Sequence, residues 1–113
     1  MKFNSDQEKF WAEDYNEEYI KKNSNFDHKK GSEGWQKMLS SISPNNLNKY
    51  LECGCNIGRN LEQIKMLYPN LLPSVIDVNG AALDYVRKKY NPEKVFHGGI
   101  IDCDFDNNSF DLV

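Results

Sequence analysis

The sequence predicts an α/β domain: a doubly wound, mostly parallel sheet with flanking helices. Three observations carry that prediction. Short apolar runs alternate with amphipathic helical segments from residue 49 onward. A glycine-bearing turn joins the first run to the first of those helices. The first two runs also carry an acid at or near their C-terminal ends, Glu52 and Asp77, 25 positions apart. Strand–helix–strand alternation of this kind is the grammar of parallel strands joined by helical crossovers.

Taken in order, Lys49–Cys53 reads as a strand and Gly54–Gly58 as a tight turn. The segment 60–68 reads as a helix with Leu61, Ile64 and Tyr68 on one face, ended by Pro69. Residues 73–78 form a second strand candidate. A helix over 80–90 follows, capped by Asn79 and burying Leu83, Val86 and Tyr90. The run 94–101 reads as a third strand, 102–109 as a loop, and Phe110–Val113 as the start of a fourth strand. A sheet that stops there is expected to be truncated after the start of that strand, with an unpaired apolar edge and a marginal fold.

Residues 1–47 read as a separate N-terminal helical segment ahead of the 48–113 unit. Ser5 and Glu8 match a capping box opening a helix over 1–22, with Trp11, Tyr15 and Tyr19 on one packing face. The polar stretch 21–31 reads as a loop with His28 facing water. Ser32 then opens a second helix, whose Trp35, Met38, Leu39 and Ile42 face the core.

Composition narrows the function. With 113 residues and a formal net charge of −3, the chain suits one small domain and lacks the basic footprint of a nucleic-acid binder. No run approaches the roughly 20 apolar residues of a membrane span, and Met1–Trp11 has no signal-peptide core, so no membrane is implied and the cytoplasm is the expected location. Three cysteines without a secretion signal read as reduced thiols. Cys53 and Cys55 lack further nearby ligands, so no metal site is expected. His97 is expected to be a packed strand residue.

The turn Glu52-Cys53-Gly54-Cys55-Asn56-Ile57-Gly58 carries the chemistry. Gly54 and Gly58 allow positive φ, and Asn tolerates the same region. The helix start beyond them aims unpaired N–H groups at a crevice. Asp77, at the end of the second strand, stands where such a sheet holds the ribose hydroxyls of a nucleoside. A strand-end acid facing a crevice packs against few neighbours, so its removal is expected to leave fold stability almost unchanged.

This pattern resembles class I S-adenosyl-L-methionine (SAM)-dependent methyltransferases, which carry Glu/Asp-x-Gly-x-Gly-x-Gly after their first strand. Glu52, Gly54 and Gly58 match, and Asn56 stands at the middle glycine. The resemblance covers residues 48–113 well and implies a Rossmann-like fold with SAM as cofactor. It also implies a cofactor set of Glu52, Gly54, Asn56, Gly58, Asp77 and Asp102. In it Glu52 holds the amino end of SAM, Asp77 the ribose and Asp102 the adenine amino group, with Ile100 or Ile101 on the ring. Phe10-Trp11, Tyr19-Ile20 and Gly54–Gly58 are also similar to methylases associated with pseudaminic acid biosynthesis, which implies a small-molecule acceptor such as a sugar or nucleotide sugar. The catalytic residues, acceptor atom and oligomeric state stay open.

Two other readings compete. An NAD-dependent oxidoreductase would carry Gly-x-Gly-x-x-Gly, but positions 56 and 59 are Asn and Arg, and Glu52 would sit near a pyrophosphate. A truncated, non-catalytic remnant or binding module is the other.

Overall fold

The computed structural model describes residues 2–14, 17–23 and 28–113. The observed order is α1 (Asp6–Glu13), α2 (Glu17–Asn23), α3 (His28–Met38), β1 (Lys49–Cys53), α4 (Arg59–Leu67), β2 (Leu72–Asp77), α5 (Gly80–Tyr90) and β3 (Lys94–His97). Short 3-10 turns stand at Pro44–Asn46 and Ile100–Asp102.

β1, β2 and β3 lie side by side in that order, all parallel, with Leu51 opposite Ser74 and Val75 opposite Val95. On its other side β1 meets the segment near the C-terminus. Tyr50 and Leu112 form a parallel bridge, and the Leu51 N–H donates to Leu112 O at 2.9 Å. The Asp111 carboxylate fastens this junction by accepting from the Asn48 and Lys49 N–H groups, each at 2.9 Å. These bonds hold its pKa below the usual carboxylate value. β1 therefore has its successor β2 on one side and the later segment on the other. Strand order reverses there, and in such sheets ligands bind outside the carboxyl ends of the strands at that point. The α/β, Rossmann-like architecture expected from the sequence is the one observed.

Leu61, Ile64, Leu71, Val75, Leu83 and Val86 are almost fully buried and join α4 and α5 to the sheet. Leu39 and Leu47, from before the first strand, sit in the same core. Ile20 of α2 packs with Ile57 and Ala82.

Several local expectations shift. The single helix over 1–22 is interrupted: α1 is capped at its C-terminus by Asp14. Glu13 and Asp14 put negative charge where a helix C-terminus disfavours it, and the last turn has no basic residue. α3 begins at His28, four residues before the predicted start at Ser32, which lies buried inside the helix. Its early turns rest on α4, where a side chain at Gly31 would come within 2.8 Å of Gln63. Trp35, Leu39 and Ile42 meet the core, but Met38, the last residue of α3, is 70% exposed. β3 ends at His97, and Gly98-Gly99 leads into a 3-10 turn where the sequence reading continued the strand. His97 is exposed rather than packed, and its Nε2–H donates to Val78 O at 3.1 Å. Tyr15, and the side chains of Tyr19 and His28, lie outside the described residues.

Candidate functional site

A cleft of about 460 Å³ opens over the C-terminal ends of the three strands. That volume lies within the usual range of small-molecule sites, roughly 300–1,000 Å³. Cys53, Gly54 and Asn56 line it from the end of β1. Ile76 through Asn79 line it from the end of β2, and Gly98 through Ile100 from beyond β3. Glu8 and Trp11 of α1 close its remaining side.

The glycine turn has the backbone its residue types predict. Gly54, Asn56 and Gly58 adopt φ of 70°, 52° and 80°. Asn56 therefore takes the left-handed conformation that the middle glycine of the motif would take. Its short amide side chain makes that region accessible to a residue with a Cβ. The two glycines serve different ends. Space beside Gly54 is open, so the backbone there faces the cleft unobstructed. Gly58 is pressed from behind: a Cβ would fall 2.7 Å from the Tyr90 ring. The Tyr90 hydroxyl donates to Glu62 Oε2 at 2.6 Å. Burial, with help from that carboxylate, raises its pKa and keeps it protonated.

Asp77 is the hinge of the site. Its Oδ2 accepts the Asn56 N–H at 2.7 Å and its Oδ1 accepts the Asn79 N–H at 2.9 Å. One carboxylate thus ties the glycine turn to the β2–α5 turn and is itself only 9% exposed. These bonds run against the expectation that its removal leaves the fold almost unchanged: Asp77 lines the cleft and joins two backbone turns. Asn79 caps α5 by accepting the Ala82 N–H at 2.9 Å, as predicted. Its amide also donates to Trp11 O at 2.9 Å, which fixes α1 across the cleft.

Glu52 is buried near the end of β1 and, like Gly58, is not among the residues that line the cleft, against the sequence expectation for both. Its Oε1 accepts from Asn60 Nδ2 at 3.3 Å, while Oε2 has no hydrogen-bond partner among the described residues. Desolvation raises its pKa to about 7, against the smaller opposing effect of the Asn60 bond. Asn56 Oδ1 is likewise buried and unpartnered. Buried acceptors without donors are rare and point to a missing donor.

Asp102 falls elsewhere. It is exposed, does not line the cleft, and accepts from Asn4 Nδ2 at 3.0 Å. Ile100 lines the cleft and is 60% exposed; Ile101 does not line it and is 80% exposed. Glu8 also lines the cleft, although its sequence signal is that of a cap, and the Glu8 N–H does donate to Ser5 Oγ at 3.1 Å. The further clue was its place three residues before Trp11, one turn along the same face.

Glu8 and Asp77 put two carboxyl groups in the cleft, and among the described residues none that lines it is Lys, Arg or His. Among the described residues, no three His, Cys, Asp or Glu side chains gather as a metal-binding group. No helix among them is long and apolar enough to cross a membrane.

The sequence matches no family model and no curated protein. Solved structures do resemble the chain. SAM-bound CalS10, an amino pentose methyltransferase from Micromonospora echinaspora involved in calicheamicin biosynthesis, is 17% identical with a TM-score of 0.55. That match covers 85% of this chain and 40% of CalS10. DesVI from Streptomyces venezuelae is 15% identical with a TM-score of 0.53, over 80% of this chain and 36% of that one. The O-MT segment of StiE, at 15% identity and a TM-score of 0.50, is covered over 28% of its length by 64% of this chain. The chain thus spans well under half the length of these structures, and at such identities the likeness is one of fold.

Proposed function

We propose that the cleft binds SAM and that the chain is the cofactor-binding portion of a SAM-dependent methyltransferase acting on a small-molecule acceptor. The observation that carries this reading is the charge of the cleft: among the described residues it is lined by two carboxyl groups and by no cationic side chain. A ligand bearing a sulfonium and an ammonium is attracted there, whereas a pyrophosphate is repelled. The buried, partnerless oxygen of Glu52 fits the same ligand, because a carboxylate beneath the glycine turn lacks only a cationic or N–H donor.

The residues divide the cofactor among them. Glu52 and the turn Gly54–Gly58 hold the amino-acid end. Asp77 retains a lone pair on each oxygen for the ribose hydroxyls after its two backbone bonds are made. When bound, SAM supplies an electrophilic methyl on its sulfonium. The protein supplies position and exclusion of water. Among the described lining residues none is a His, Lys or Tyr, and burial raises the Cys53 pKa, disfavouring its thiolate. A sugar or nucleotide sugar is the acceptor class favoured by the sequence resemblance and by the fold shared with CalS10.

Isothermal titration of the chain with SAM and with NAD⁺ tests the reading. SAM should bind and NAD⁺ should not bind measurably. Tighter binding of NAD⁺ would replace this proposal with the oxidoreductase one.

A further inference from the structure

Gly58 is held from a side that does not line the cleft. It closes the glycine turn by donating its N–H to Cys55 O at 2.8 Å, and it opens α4 by accepting the Glu62 N–H at 2.9 Å. Behind it stands the ring of Tyr90, the last residue of α5. A Cβ at Gly58 would fall 2.7 Å from Tyr90 Cε2 and 3.2 Å from Cδ2. The absence of a side chain at 58 is what lets the ring lie flush against the turn.

The ring is itself fixed. Its hydroxyl donates to Glu62 Oε2 at 2.6 Å. Lys89 Nζ stands 3.4 Å from the same oxygen and 5.4 Å from the Tyr90 ring centroid. Glu62 therefore closes a circuit. Its backbone N–H binds the Gly58 carbonyl, its carboxylate binds the Tyr90 hydroxyl, and the Tyr90 ring returns to Gly58. A short bond to a charged acceptor narrows the positions open to the ring. On the cleft side, Asp77 holds the same turn through the Asn56 N–H. The turn is thus set between Asp77 in front and Tyr90 behind. Gly54 and Asn56, the turn residues that line the cleft, take their positions from both.

We propose that Tyr90 is a positioning residue: without lining the cleft, it sets how far the glycine turn reaches into it, and so how tightly the cofactor is held. This rests on the SAM reading above. The test pairs calorimetric titration of S-adenosylhomocysteine, the demethylated product of SAM, with amide NMR spectra of the ligand-free chain. The chains compared are the unaltered one, Tyr90→Phe, Tyr90→Leu and Val86→Ala. Tyr90→Phe keeps the ring and loses the Glu62 bond, and Tyr90→Leu loses both. Val86, fully buried one turn earlier on α5, is the control for plain loss of stability. Tyr90→Leu should weaken binding on the order of 10-fold, because small displacements of a positioning element are costly. Tyr90→Phe should weaken it less, and its Gly54 and Asn56 amide signals should shift although the ring remains. Val86→Ala should melt earlier and bind as the unaltered chain does.

A residue that merely stabilises α5 would behave as Val86 does, lowering the melting temperature and leaving affinity and turn signals in place. Unchanged affinity in both Tyr90 variants, unshifted Gly54 and Asn56 signals in Tyr90→Phe, or an equal loss of affinity in Val86→Ala would each overturn the assignment while leaving SAM binding intact. Should Tyr90→Leu fail to fold, the affinity and signals of Tyr90→Phe decide alone. Failure of the unaltered chain to bind S-adenosylhomocysteine would remove the SAM reading, and the turn signals of Tyr90→Phe would still decide whether Tyr90 sets the turn.

Discussion

The two walls of the cleft are built on different principles. The wall at β1 and β2 is internally bonded: Asp77 clamps two backbone turns, and Glu52 is buried under one of them. The wall at α1 and the Ile100–Asp102 turn is exposed. α1 buries no residue, and the segment leading into it is tied by Asn4 to Asp102, 98 positions away. One wall is part of the fold, and the other is laid over it. Rigid elements are suited to holding the charged end of a ligand. A lightly attached helix is suited to admitting the ligand and then covering it.

The largest test of that contrast is Asp77→Ala. Two backbone N–H groups lose their acceptor, and each such group costs roughly 1–3 kcal/mol when buried. The expected loss of stability is about 2–5 kcal/mol, at the lower end if water reaches the partly buried Asn56 N–H. SAM affinity should fall on the order of 10–100-fold as well, from the lost ribose bonds. Denaturant titration and calorimetry read the two effects separately. Unchanged stability would mean that the clamp is incidental and that the two walls are more alike than the hydrogen bonds indicate.

Glu52 sharpens the comparison through pH. Its pKa of about 7 in the folded chain stands above the ordinary 4.5, so between those values the folded state holds a proton that the unfolded state has released. This contribution to stability is fully present below about pH 4.5 and is lost as pH rises through about 7. The expected loss is on the order of 3 kcal/mol. Glu52→Gln should remove this slope. Saturating SAM should flatten it too, because a cation at Oε2 stabilises the ionised form. Melting temperatures between pH 4.5 and 8, with and without SAM, decide the point. The same slope in Glu52→Gln would assign it to another group.

These differences also explain what was legible in the sequence. β1, α5 and the glycine turn were readable because their causes are local: apolar periodicity, an Asn cap, residues that tolerate positive φ. The role of Asp77 was half readable, since its place at a strand end follows from alternation but its clamp depends on how Asn56 folds back from 21 positions away. The early start of α3 was hidden because the packing of its first turns on Gln63 of α4 is a long-range contact. Asp102 lies outside the cleft lining: the sequence marks it as an acid after a strand, but the chain leaves β3 at Gly98 and its carboxylate accepts from Asn4. Glu8 was read as a cap because its second environment, Gly99, lies 91 positions away.

The smallest expected effect is the one most specific to the α1 wall. Asn4→Ala removes a hydrogen bond to Asp102 that is exposed at both ends, so global stability should change by less than about 1 kcal/mol. What should change is the local opening of α1, which then keeps its Asn79–Trp11 tie but loses this one. Regions with few buried contacts open independently of the core. Amide hydrogen exchange across Asp6–Glu13 should therefore quicken in Asn4→Ala while exchange in β2 stays as slow as before. The capping bond from the Glu8 N–H to Ser5 Oγ remains in the variant, so faster exchange would report detachment of the helix rather than loss of its cap. If α1 and β2 instead quicken together, or neither does, α1 is part of the same cooperative unit as the sheet, and the distinction between a built wall and a laid-over one fails.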